Sequence, residues 1–299
     1  AERSGFEDAA RVERLRREAS EDDLRKVIYG IDGRASLFEK VGQALYAVAS
    51  DKAQESLCRI FGNALYFTFR LLFIAYFEDR HWDILKAHSN YPRLSLRKLY
   101  QDLPRDDPRD YTGWDSLQTL FDTLNRGKPN FAIPLLNGGL FDDERAPLLA
   151  LPRIMDNDQL RQVLDLLFII ADTGGRLRDF RTLSVTHLGT IYEGLLGFEF
   201  RIAEENLVYL EYQRKGGKGA PADHLDGYFD AYDAARIRAD AKCLVRTSID
   251  LPRGCLYLVS SRNSRKTTAS YYTPSELSLP LVRRAIDHAL ARLEPEKSI

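Results

Sequence analysis

The residues most suited to chemistry by type and spacing lie in Thr268-Ala-Ser-Tyr-Tyr-Thr-Pro-Ser-Glu-Leu277, close to the end of the chain. Thr273 and Pro274 suit the N-cap and first-turn positions of a helix. That helix is predicted to run to about Leu293, with Leu281, Val282, Ala285, Ile286 and Leu290 as its apolar positions. A cap accounts for Thr273 and Pro274. It does not account for Tyr271 and Tyr272 just before them, or for the basic, small-residue lead-in.

Other candidates have structural readings. Gly138-Gly139 lacks the preceding strand and following Lys-Ser/Thr of a phosphate loop and reads as a turn. His187 and Glu193 share a helix without the spacing of a metal pair, so His187 is expected to cap or to sit in the core. Arg70, inside an apolar helix, must find a partner or snorkel, and an ion pair with an acid on a neighbouring helix is expected. Lys215, Lys218, Arg262, Arg265 and Lys266 lie in flexible stretches. They are solvated by default and become phosphate contacts if the protein binds DNA. Glu211-Tyr-Gln213 fits a nuclease metal strand poorly, because the lysine is missing and no partner aspartate strand is convincing. No metal site is expected.

Composition narrows the class. With 44% apolar and 29% charged residues, the chain has material for a buried core. A net charge of −1 argues against a general polyanion binder and leaves room for one local basic patch. Cys58, Cys243 and Cys255 are odd in number and scattered, which fits a reducing cytoplasm rather than a disulfide framework. The chain opens at Ala1 on a charged segment, so it reads as lacking a secretory signal and as an excised or trimmed piece. The most apolar run, Ala64 to Phe77, is shorter than the roughly 20 residues a bilayer needs and contains Arg70. No membrane association is expected.

Periodicity then supplies the elements. Helices are predicted over about 6–29, over Ser36–Ser50, and from a cap at Asp51 to about Lys86, with Phe69, Leu72, Phe73 and Tyr76 in the core. Residues 89–111 read as turns, Trp114–Leu124 as helix, and the stretch from Pro129 to Pro152 as a long irregular loop. Gln159–Ala171 reads as a helix stopped by Gly174-Gly175, and Ser184 as the cap of the next. After about residue 200 the pattern changes. Leu207–Tyr212 reads as a strand, RKGGKGAP as a turn, Leu225–Ala241 as a helix, and Cys243–Ile249 with Cys255–Ser260 as a hairpin closed at Asp250–Gly254. The expected fold is mainly α: a helical bundle over 1–200, followed by a small α/β segment over 201–299.

The segment ending in YYTP resembles the (G/S)xYYTP element that precedes the S-adenosylmethionine fold of amino-N6-adenine DNA methyltransferases. Three more segments are similar to the helical region ahead of that element in single-chain, type IIG-like restriction-modification enzymes: ALYFTFRLLFIAYFEDR (64–80), LLNGGLFDDE (135–144) and LSVTHLGTIYEGLLGFEF (183–200). They stand in matching order and approximate spacing. The resemblance implies that Tyr271, Tyr272, Thr273 and Pro274 close one wall of an S-adenosylmethionine pocket. A helix N-terminus would face the methionine carboxylate and aromatic faces the sulfonium. It also implies double-stranded DNA as the partner of the parent protein, methyl transfer to adenine N6 after base flipping, and a Rossmann-like core beyond this segment. Magnesium enters only if that parent carries a nuclease. The DPAxGSG-like cofactor loop and NPPY-like base-binding loop of the family do not occur in these 299 residues. The chain itself is therefore expected to be inactive and to hold other parts in register. A non-enzymatic helical scaffold, with YYTP as a mere cap, stays open beside this reading.

Overall fold

The apolar run around Phe69 becomes the centre of a helix, α3 (Leu57–Leu85), about which the fold is built. The computed structural model describes residues 23–30, 36–49, 56–87, 90–104, 109–127, 138–170, 174–215, 223–260 and 275–293. By length and composition α3 alone among the described helices could cross a membrane, yet more than half of its apolar stretch is buried inside the protein. Ile60, Ala64, Phe67, Leu71, Leu72 and Ile74 are fully buried. Of the four predicted core residues, Leu72 is among them, and Phe69, Phe73 and Tyr76 pack half-buried against the same core. The predicted cap, Asp51, lies outside the described residues, and Ser56 precedes the first turn.

Around α3 pack a helix over residues 23–29 (α1), α2 (Leu37–Val48), α4 (Tyr91–Leu94), α5 (Leu96–Asp102), α6 (Thr112–Arg126), α7 (Asn157–Phe168) and α8 (Val185–Leu195). Side-chain caps start α2, α5, α7 and α8. Ser36 accepts the N–H of Glu39 at 3.3 Å, and Asp156 and Gln159 form a reciprocal box on α7. The apolar stripe of α6 is buried as its spacing predicts, through Leu117, Leu120, Phe121 and Leu124. Two expectations change here. Residues 91–102 are helical rather than turns, because Pro92 falls in the first turn of α4, where it does no harm. The helix expected to reach Ala171 ends at Phe168. Ile169 instead bridges Leu177 across a turn containing Gly174 and Gly175, which have positive φ.

The strands are β1 (Phe198–Ile202), β2 (Leu207–Arg214), β3 (Asp223–Asp230), β4 (Cys243–Leu251) and β5 (Leu256–Ser260). They form two antiparallel sheets, β1-β5 and β3-β2-β4. The expected helix over 225–241 divides. Its first part is β3, paired along β2 with Val208 opposite Phe229, and only Ala231–Ala239 (α9) is helical. Asp230 makes the switch, since its carboxylate accepts the N–H of Asp233 at 2.7 Å and starts the helix. The expected β4–β5 hairpin does not form. Gly254, at φ 86°, turns the chain, but β4 pairs with β2 and β5 pairs with β1.

The pair β1-β5 belongs to the main core through Phe200, Leu256 and Leu258. Phe200 stacks on Phe38 at 5.2 Å and 9°, and its ring occupies the space a Cβ on Gly42 would need. The sheet β3-β2-β4 has a small core of its own, where Val208 and Leu210 meet Ala234 of α9. The last helix, α10 (Ser275–Leu293), is amphipathic as predicted. Its Leu281, Val282, Ile286 and Leu290 are exposed.

Candidate functional site

Buried charge is concentrated on α3, and each instance has a structural partner. Arg70, fully buried, donates through Nε to the carbonyl of Leu140 at 2.8 Å and through Nη2 to that of Asp142 at 3.1 Å. It pairs with Asp143 at 3.4 Å and lies over the rings of Phe121 and Phe141. The acid is thus on a loop, not on the neighbouring helix that was expected. The reason is that the loop also supplies the two carbonyls a guanidinium fork needs.

Two turns along, Glu78 and Asp79 also face inward. Glu78 is fully buried and accepts the N–H of Leu96 at 2.7 Å and the hydroxyl of Tyr91 at 3.0 Å. Burial pushes its carboxyl up to about 7, against the downward pull of these hydrogen bonds. Asp79 holds Arg97 in a fork at 2.7 and 2.8 Å and accepts the N–H of Phe180. Arg178, also buried, pairs with Asp23 at 2.7 Å and donates to the carbonyl of Leu167. These groups join the helices to one another. His187 is likewise structural: its Nδ1 accepts the N–H of Ser184 while Ser184 caps its own N–H, as expected of a capping histidine.

Tyr271, Tyr272, Thr273 and Pro274, with Lys218, Arg262, Arg265 and Lys266, lie outside the described residues. Lys215 is described. It is exposed just past β2, and its N–H donates to the carbonyl of Lys242 at 2.8 Å, so Arg214, Lys215 and Lys242 share one exposed end of the three-stranded sheet with the carboxylates of Asp223 and Asp240. Among the described residues no group of three or more His, Cys, Asp or Glu side chains could hold a metal ion.

A cleft of about 280 Å³ opens between the β3-β2-β4 sheet and the helical body. Tyr29, Tyr209 and Tyr228 line it with Glu39, Asp226 and Asp250. The Tyr228 hydroxyl donates to the carbonyl of Leu258 at 3.0 Å and so ties the two sheets together. Burial raises the Glu39 carboxyl, while the N–H of Leu258 and the charge of Lys40 draw it back down. Burial, and then the nearby carboxylates, raise both Tyr209 and Tyr228, which keeps their phenols protonated. Sequence reading missed this site because its residues come from α1, α2 and all five strands, with no local motif among them.

No family model matches the chain, and no curated protein and no solved structure shows significant similarity to it.

Proposed function

We propose that this chain is the helical connector of an adenine-specific DNA methyltransferase of restriction-modification type. The observation that carries the reading is the meeting of three segments that resemble that family. Arg70, from 64–80, holds the loop residues Leu140, Asp142 and Asp143, from 135–144. Phe69 of the first segment meets Tyr192 of the third, 183–200, with ring centres 6.0 Å apart, and Ile191 and Leu195 are buried in the same core. Segments that lie far apart in the chain therefore form one packed unit, suited to holding other parts at fixed distance.

In this reading the chain's role is mechanical. The parent protein transfers a methyl group from S-adenosylmethionine to adenine N6, using cofactor and base-binding loops absent from these 299 residues. Duplex DNA is the partner, and Arg214, Lys215 and Lys242, on the exposed sheet end they share with Asp223 and Asp240, offer phosphate contacts. The test is incorporation of labelled methyl groups into duplex DNA, run on the parent protein and on the chain alone. Label in adenine for the parent and none for the chain is the expected result. No label for either would sink the reading in favour of a non-enzymatic scaffold.

A further inference from the structure

The cleft between the three-stranded sheet and the helical body has a definite chemical character. Three tyrosines and three carboxylates line it, and among the described residues lining it there is no Lys, Arg or His. The tyrosine hydroxyls are already committed as donors. Tyr29 donates to the carbonyl of Ile191 at 2.8 Å, Tyr228 to that of Leu258 at 3.0 Å, and Tyr209 to the carboxylate of Asp226 at 3.5 Å. What remains for a ligand is negative charge and ring surface. Tyr209 and Tyr228 pack with centres 5.2 Å apart and planes inclined at 54°.

Two carboxylates also face one another on the sheet. Glu211 and Asp226 stand directly opposite one another on β2 and β3. Like charges so placed are unfavourable without a compensating cation. Among the described residues, Glu211 accepts a hydrogen bond from the hydroxyl of Thr247 at 3.0 Å. An anionic ligand would meet repulsion and no free tyrosine donor. A bare metal ion would find no group of three ligating side chains among the described residues. A cation carried on carbon fits both the carboxylates and the rings, because ring faces attract positive charge that is weakly hydrated.

We propose that this cleft binds a small organic cation, an alkylammonium or guanidinium group, held between the tyrosine rings and the carboxylates of Glu39 and Asp226. The volume, about 280 Å³, suits one such group rather than a large cofactor. The proposal is independent of the methyltransferase reading. The cation can belong to a free small molecule or to a side chain of a bound peptide, and the two sources are separable by experiment.

The test is calorimetric titration of the whole chain with tetramethylammonium, spermidine, arginine amide, a short arginine-containing peptide, neopentyl alcohol and magnesium chloride. The organic cations should bind, and the neutral alcohol should bind at least about tenfold more weakly. Binding by the free cations points to a small molecule, and binding by the peptide alone points to a protein side chain. Glu39→Gln and Asp226→Asn should each weaken binding about tenfold, while Glu205→Gln, exposed and outside the cleft, should not. Asp226 is exposed, so its variant alters charge with little effect on the fold. Circular dichroism checks this. No binding by any organic cation, equal binding by the neutral alcohol, or binding of magnesium alone would overturn the proposal.

Discussion

Glu78, in the last third of α3, accepts the backbone N–H of Leu96 at 2.7 Å, so the first turn of α5 rests on a carboxylate out of reach of solvent. Burial raises its pKa from 4.5 to about 7. A carboxyl whose folded pKa lies above its unfolded value takes up a proton on folding. Its stabilising contribution is complete below about pH 4.5 and disappears as the pH rises through about 7. The stability of the native protein relative to Glu78→Gln should therefore fall between about pH 5 and pH 8, by up to roughly 3 kcal/mol. Urea unfolding of both proteins across that range measures it. A difference independent of pH would show that Glu78 does not titrate there.

Arg70 and Asp143 should contribute unequally to stability. Arg70→Met leaves the carbonyls of Leu140 and Asp142 without their donor inside the protein and is expected to cost about 3 kcal/mol. Asp143 has a side chain 62% exposed, so Asp143→Asn should cost less than about 1 kcal/mol. Denaturant midpoints for the two variants decide the order. The reverse order would mean that the ion pair, and not the carbonyl clamp, holds the loop.

Gly42→Ala should destabilise by about 1–3 kcal/mol through overpacking. A Cβ there would lie 2.2 Å from Cζ of Phe200, whose ring is held between Phe38 and Phe61. Phe200→Leu in the same protein should recover part of the loss by vacating that space. Thermal melts of the single and double variants test the coupling. Strictly additive losses would place the strain elsewhere.

In the parent protein, Tyr272→Ala should lower S-adenosylmethionine affinity with little change in melting temperature. Thr273→Ala should cost only a helix cap, about 1 kcal/mol. Calorimetric affinity, measured beside melting temperature, separates the two effects. A drop in melting temperature with unchanged affinity for Tyr272→Ala would make the YYTP element a cap and remove its part in cofactor binding.

Where a residue's neighbours in sequence decide its fate, the structure was legible in advance. Ser184 and His187 are three apart and cap each other, and an arginine in the apolar stretch around Arg70 had to find polar partners. Where fate depends on distant partners, reading failed. Leu225, Tyr228 and Phe229 suit helix and strand alike, and β2 alongside them decides for strand. The residues after Gly254 resemble the return arm of a hairpin until β1 claims them. The cleft was invisible for the same reason, since Tyr29, Glu39 and Asp226 become neighbours only after the sheets have assembled. The YYTP element was the clearest motif in the sequence, and its residues fall outside those described.

The separation of β4 from β5 has a topological consequence. Ala203 donates to the carbonyl of Cys255 at 2.9 Å and accepts the N–H of Gly254 at 2.8 Å, just where the β1-β5 ladder ends. The polypeptide leaves the main body and re-enters it through a single narrow gate. The described residues between 204 and 253 are thus a side branch whose two roots already touch. Replacing the branch with a short turn would close β1 and β5 into an ordinary hairpin. The same gate would accept a different branch, with loss of the Tyr228–Leu258 bond and of the cleft that branch and body build together.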